Sequence, residues 1–233
     1  MRDREYLYYN GKSSGDFEAY ITNAGVYKAP VHSYESVSVP GRNGNLIFDN
    51  DKFDNVDVSY PAIIVDHFDQ NFDDLKAYYL SINGYQRLED TYHPEEYYLA
   101  VFRGFDNIKV LKDHDAGTLV LSFERKPQKY LKLGEKKLSS TSSMSLLNPT
   151  RYRALPLIRL YGSGTFTIGS VSLVLSTLSS YVDIDCEAQE ALQSGQNQNI
   201  TLSNGVFPYL APGLNSISYT GSRYEITPRW FNI

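Results

Sequence analysis

The glycine-rich stretch "VPGRNGNLIFDN" at residues 39–50 contains residue types that suit an anion-binding loop. A phosphate-binding loop lies between a strand and a helix, because the helix N-terminus supplies the N–H groups that hold the anion. Here the β-favouring run 46–48 follows, and the stretch lacks a Gly-Lys-Ser/Thr sequence. We therefore interpret it as the tip of a β-hairpin that joins residues 34–39 to residues 45–48.

Few residues suit metal or nucleophilic chemistry. The single cysteine, Cys186, excludes a thiolate metal site. The four histidines are scattered along the chain: His32, His67, His93 and His114. Acidic runs at 49–55 and 113–117 resemble calcium loops but lack the ligand spacing and the closing glutamate that the ion needs. The carboxylates in "GFDN" and "DTYHPEE" offer an acid pair for glycoside cleavage, although surface charge explains them more simply.

No His-Glu-x-x-His motif occurs in the sequence, and we expect no nucleophile elbow, although residues 11–15 read Gly-Lys-Ser-Ser-Gly. The sequence therefore predicts a protein that is not an enzyme and that needs no cofactor and no metal.

Composition narrows the class of protein further. The 233 residues are 42% hydrophobic, enough for a sizeable core, and the net charge of −5 offers no basic surface for nucleic acid. No apolar run is long enough to span a bilayer, so we predict no membrane insertion. A single cysteine suits folding in a reducing cytoplasm. The 20 tyrosines are unusual, and their large rings with polar tips suit contacts between subunits as well as cores.

Strand patterns dominate the first half of the chain. β-branched or alternating apolar residues lie between turn signals at residues 34–40, 55–67, 107–111 and 117–123. One segment, at about residues 71–83, favours a helix. Its apolar positions recur at helical spacing: Phe72, Leu75, Tyr79 and Ile82. Asn71 is placed to cap this helix and Gly84 to end it.

The Lys-bearing and then Ser/Thr-rich stretch from about residue 128 to residue 145 is interpreted as a domain junction. Beyond it, a two-residue turn at Gly169-Ser170 would pair Ile168 with Val171 and Phe166 with Leu173, which puts the apolar residues on one face.

That pairing favours a β-sandwich in which each sheet has one solvent-exposed face. In "YVDIDC" the alternation places Cys186 in the core, while residues 187–193 fit either a short helix or a strand. The predicted fold class is mainly β with one short helix.

The order of motifs along the chain resembles a known family. These motifs are "SVPGRNGNL", "YQRLEDTYHPEEYYLAVF", "LVLSFERKPQKYLKLGE", "NPTRYRALPLIRLYGSG", "FPYLAPGLNSI" and "ITPRWFNI". Together they cover almost the whole chain and resemble the distal tail proteins (Dit) of phages with long non-contractile tails.

The resemblance implies a structural protein of the virion, at the distal end of the tail, assembled in the cytoplasm of the bacterial host. Residues 1–130 would form a ring of six copies, and residues 131–223 a galectin-like β-sandwich. The ring would join the tail tube protein to the tail tip or baseplate proteins and let DNA pass without reading its sequence. An extended hairpin would reach the neighbouring subunit, with five candidate contact residues: Pro40, Gly41, Arg42, Asn43 and Gly44.

The chain end, residues 224–233, is too apolar for a free tail. The resemblance implies that it returns to the first domain, where Pro228, Trp230 and Phe231 would clamp the two domains. The other interpretation is that these residues complete the sheet of the sandwich.

A second function class is a carbohydrate-binding adhesin for the host cell wall. The chain does not carry the polar and tryptophan constellation with which galectins bind sugar, since its one tryptophan is Trp230. An enzyme such as a glycosidase ranks last.

Overall fold

The computed structural model describes residues 4–111, 115–176, 180–198, 200–203 and 205–233. The chain divides into two compact units. The first comprises residues 1–129 together with Ile233, and the second comprises residues 130–232. The sequence prediction drew the boundary after residue 130 and returned residues 224–233 to the first domain, whereas the structure places all of that segment except Ile233 in the second unit.

Among the described residues the first unit contains ten strands that lie wholly within it and one α-helix, α1 (Phe68–Ser81). The strands are β1 (Leu7–Tyr9), β2 (Lys12–Ser13), β3 (Ala19–Ile21), β4 (Val26–Tyr27), β5 (His32–Val37), β6 (Leu46–Phe53), β7 (Val56–Ile64), β8 (Gln86–Asp90), β9 (Glu96–Val110) and β10 (Gly117–Arg125). The main sheet has the order β2-β1-β8-β9-β10-β7-β3, and β4 also pairs with β7. β5 and β6 form a separate two-stranded sheet.

The centre of the main sheet follows from strict alternation in sequence. In both β7 and β10 every second residue is buried, and the two strands pair without interruption from Gly117 opposite Ile64 to Arg125 opposite Val56. A period of two places all apolar side chains on one face of a sheet. That face is covered by α1, whose Phe68, Leu75 and Tyr79 are buried in the same cluster.

The helix begins three residues earlier than the sequence predicts and ends at Ser81. Asn71 is not its cap: the Asn71 side-chain amide donates to the backbone carbonyl of Asp66, 2.7 Å away. The earlier start buries Phe68, whose ring lies against Gly117 so closely that a Cβ there would be 2.3 Å from it. Burial of this ring therefore outweighs the local capping signal.

Aromatic rings fill much of this core. The Tyr79 ring centroid lies 5.3 Å from that of Tyr9 and 5.1 Å from that of Phe102, and Phe123 lies 5.2 Å from Tyr9. Offset and edge-to-face ring pairs at such distances are favourable beyond the area that they bury. Several tyrosines therefore belong to the core of a unit and are not available for contacts between subunits.

The remaining strands lie in or enter the second unit. They are β11 (Lys129–Leu131), β12 (Leu138–Ser140), β13 (Met144–Asn148), β14 (Leu157–Tyr161), β15 (Gly164–Ile168), β16 (Val171–Leu175), β17 (Tyr181–Asp185), β18 (Glu190–Gln193), β19 (Gln196–Asn197), β20 (Thr201–Leu202), β21 (Gly213–Tyr219), β22 (Arg223–Thr227) and β23 (Phe231–Asn232). One sheet has the order β12-β22-β14-β17-β18-β19 and the other β13-β21-β15-β16-β20. One buried cluster draws on both sheets, so this unit is a β-sandwich.

The predicted register of the β15–β16 hairpin is confirmed, with Ile168 opposite Val171 and Phe166 opposite Leu173. The undecided segment 187–193 is a turn followed by strand β18. The stretch 128–145, predicted as a domain junction, contains β11, β12 and the start of β13, and the boundary between the two units falls near its beginning, after Lys129. Pairing of β12 with β22 and of β13 with β21 overrides the Ser/Thr-rich composition of these two strands. No helix of the described residues is long and apolar enough to cross a membrane.

We expect Leu75→Ala in α1 to lower the free energy of unfolding of the first unit by about 2–5 kcal/mol, because Leu75 is fully buried and the change leaves a cavity. Leu80→Ala is the matched control on the same helix, since Leu80 is 62% exposed, and should change it by less than about 0.5 kcal/mol. Urea denaturation followed by circular dichroism measures both. Equal effects would contradict the packing of α1 on the sheet.

Candidate assembly interface

Strands β5 and β6 form a hairpin arm, which we define as residues 32–53. Within the described residues these two strands hydrogen-bond in ladders only to each other, and they pair from Tyr34 opposite Asp49 to Val37 opposite Leu46. Both outer edges of the arm are therefore open. A two-stranded ribbon of this kind is marginally stable in water by itself, and open edges favour association with another chain.

The tip of the arm carries the five residues that the sequence predicts as contacts, and all five are exposed. The backbone N–H of Arg42 donates to the carbonyl of Val39 at 3.2 Å. Pro40 and Gly41 occupy the two central positions of this turn, and Gly41 has a φ of +79°, as a type II turn requires. Gly44 has a φ of +82°. The glycines therefore supply turn geometry, as the sequence predicts, and no anion-binding helix follows them.

Apolar side chains are exposed on both faces of the arm. The register places Tyr34 and Ile47 on one face, 57% and 58% exposed. Val37, Leu46 and Phe48 lie on the other face, and Phe48 is 54% exposed. A strand that faces its own core exposes apolar residues on one face at most. Exposed apolar side chains on both faces are typical of a surface that binds another molecule.

The root of the arm is held by short-range contacts. The backbone N–H of Asp54 donates to the carbonyl of Val31 at 3.0 Å, and the His32 ring lies 4.1 Å from the Phe53 ring. Between the root and the outer ladder the register shifts, and Asp51 there has a φ of +52°. This β-bulge changes the twist of the arm where it leaves the unit.

Beside the root lies a groove of about 590 Å³, which we call the root groove. Its apolar lining comes from Val26, Tyr27 and Val31, which are 63%, 47% and 59% exposed. Its carboxylates are those of Asp54 and Asp57, both exposed and without an ion-pair partner among the described residues.

The Tyr27 ring, which lines the root groove, packs on a buried arginine. The Arg125 guanidinium is 4% exposed and lies between two rings, 4.2 Å from the centroid of Tyr27 and 4.2 Å from that of Tyr98. Sequence reasoning missed the groove, because β4 is only two residues long and shows no periodicity. The one available signal is the exposed apolar pair Val26-Tyr27 between glycine and lysine.

The residues considered for metal or nucleophilic chemistry form no built centre in the described chain. The ligand atoms of Asp66, His67 and Asp115 lie within 4.8 Å of one another, but all three side chains are exposed. Asp113 and His114 of the predicted acidic run lie outside the described residues. Cys186 is buried, as predicted, and burial raises the pKa of its thiol to about 12, which keeps it an unreactive thiol at neutral pH.

The clamp candidates Pro228, Trp230 and Phe231 lie in the second unit. Pro228 is buried, and Trp230, 3% exposed, belongs to the core of the sandwich. The backbone carbonyl of Trp230 accepts from Leu131 at 2.8 Å, and the Phe231 ring stacks 5.9 Å from that of Tyr152. Burial of Trp230 matches the sequence expectation. The surroundings match the other interpretation, in which the chain end completes the sandwich, and a clamp between domains stays a prediction.

The fold defined by these two units, a β-sheet unit with one helix and an exposed arm followed by a β-sandwich, is that of phage tail hub proteins. The crystal structure of SPP1 Dit, described as a paradigm of the hub adsorption apparatus in phages that infect Gram-positive bacteria, matches 95% of this chain and 97% of its own. The TM-score is 0.71 at 13% identity.

A chain of the phage P2 baseplate in its activated conformation with calcium matches 96% of this chain and 97% of its own. The TM-score is 0.50 at 7% identity. No family model and no curated protein matches the sequence. The likeness to Dit in fold, predicted from the order of motifs, is confirmed.

We expect Asp185→Asn to destabilise the second unit at neutral pH. Asp185 accepts two hydrogen bonds from the Arg229 guanidinium, at 2.8 and 2.9 Å. Burial raises the pKa of Asp185, but these bonds and those from the N–H groups of Ala188 and Glu187 keep it below its ordinary value of 3.8. A depressed pKa stabilises the fold above the ordinary value, and this contribution is lost as the pH falls through the lowered pKa.

Urea denaturation, followed by Trp230 fluorescence, should therefore give Asp185→Asn a lower free energy of unfolding than wild type at pH 7. The two free energies should converge as the pH falls below 3.8. Glu190→Gln, at an exposed position of the same sheet, is the control and should behave as wild type at both pH values. A difference in the free energy of unfolding between Asp185→Asn and wild type that stays constant with pH would contradict the role given to the Asp185 charge.

Proposed function

We propose that this chain is the subunit of a distal hub in a long non-contractile phage tail, with a structural and non-catalytic role. The observation that carries the proposal is the likeness of fold to SPP1 Dit over 95% of this chain and 97% of that one. A match that spans both units supports the same two-part design, with a ring-forming first unit and a β-sandwich second unit.

In this proposal six copies close into a ring through their first units. A cyclic ring repeats one head-to-tail contact, in which two different surfaces of the subunit meet. The exposed arm is the surface that most needs such a contact, because it leaves apolar side chains in water on both faces. The ring would join the tail tube protein to the tip or baseplate proteins, in the virion, after assembly in the host cytoplasm.

The charge balance supports a channel that lets DNA pass without holding it. The chain has 22 lysines and arginines against 27 aspartates and glutamates. A wall dense in lysine and arginine would bind phosphates tightly, and dense positive charge of that kind is typical of proteins that hold nucleic acid.

We predict that Ile47→Ser/Phe48→Ser, with one change on each face of the arm, weakens ring assembly at least about tenfold in concentration, because two exposed apolar anchors lose their contact area. The control Leu147→Ser/Leu214→Ser removes a cross-strand apolar pair in the second unit that is still more exposed, and should leave the ring unchanged. Sedimentation velocity measures the assembly, and circular dichroism checks the fold. A monomeric wild type at high concentration, or a ring unaffected by the arm variant, would contradict the proposal.

A further inference from the structure

We propose that the root groove receives the tip of the arm of a second copy of this chain, with Arg42 of the arm facing Asp54 and Asp57 of the groove. This inference rests on the proposed ring and names the two surfaces that meet in it. The contact is head to tail, since each copy offers an arm and a groove that are different surfaces.

The tip does not reach its own groove. Val31 and Asp54 line the groove and also form the root of the arm, while Pro40 lies at the far end. The eight steps from Val31 to Val39 span roughly 26 Å at the rise of an extended strand. The ladder between Tyr34 and Val37 is uninterrupted, so the ribbon stays extended and the tip ends away from the root. A groove in another copy is free of this limit.

Charge and polarity of the two surfaces complement each other. From residue 38 to residue 47, Arg42 is the one charged side chain, and it is exposed without an ion pair among the described contacts. The groove offers two exposed carboxylates, Asp54 and Asp57, against one lysine, Lys28. A positive tip therefore faces a groove with one net negative charge, and complementary charge fixes the register of an association.

The apolar parts also correspond. The groove presents Val26, Tyr27 and Val31, and the Tyr27 ring is held in place on the buried Arg125 guanidinium. The arm carries Val37, Leu46 and Phe48 on one face and Ile47 on the other face. A preformed apolar groove with a few placed charges loses little conformational entropy on binding, which favours a stable contact.

A charge exchange between two variants tests the contact. Arg42→Asp makes the tip negative, and Asp54→Lys/Asp57→Lys makes the groove positive. Each variant alone places like charges in every arm–groove contact and should need at least roughly tenfold more protein to assemble. In an equal mixture each tip again meets a groove of opposite charge, so alternating copies should close a ring of the wild-type mass. Salt should weaken this recovery, because exposed charges are screened.

The possible outcomes distinguish a failure of the arm–groove contact from a failure of the ring proposal. If the groove variant alone assembles like wild type, or if two weakened variants do not recover on mixing, the arm does not dock in this groove, while the ring proposal stands. If wild type itself stays monomeric, the ring proposal fails and this contact fails with it. Should Asp54→Lys/Asp57→Lys not fold, as judged by circular dichroism, Asp54→Asn/Asp57→Asn replaces it and should weaken assembly in the same direction. Unchanged assembly of that variant would also overturn the contact.

Discussion

The need to remove the arm's apolar side chains from water is the constraint on which the account depends. Tyr34 and Ile47 are exposed on one face and Phe48 on the other, and no fold of a two-stranded ribbon hides both faces at once. Leaving large apolar side chains in water forgoes roughly 1.5–3 kcal/mol for each one. Covering of the arm by another molecule would recover this free energy.

The rest of the first unit gives the arm a firm base. The arm is held at its root by short-range contacts. The strand that follows the arm, β7, pairs with β10 along nine residues. Aromatic packing of Tyr9, Tyr79 and Phe123 fills the space between this sheet and α1. A close-packed core of this kind is hardly compressible, so it gives the arm and the root groove a rigid base within the unit. The second unit forms its own core around Phe166 and Trp230.

Local patterns were sufficient to predict the features whose signals are short-range. The alternation around Gly169 predicts the β15–β16 register, and the turn chemistry of Pro40 and Gly41 predicts the arm tip. Features that depend on distant packing were not predictable. The start of α1 follows from burial of Phe68 against Gly117, which is far away in sequence. The root groove combines strand β4 with Val31 and Asp54, which flank the arm, and no local pattern links them.

Amide hydrogen exchange of the arm tests the central claim most directly. Mass spectrometry of peptides from residues 32–53 would compare dilute, monomeric protein with concentrated, assembled protein. The account predicts that exchange in these peptides slows on assembly, because another copy covers the open edges and both faces, while peptides from β14 in the sandwich core do not change. Equal exchange of the arm in the two states would contradict the claim that the arm forms the contact between subunits.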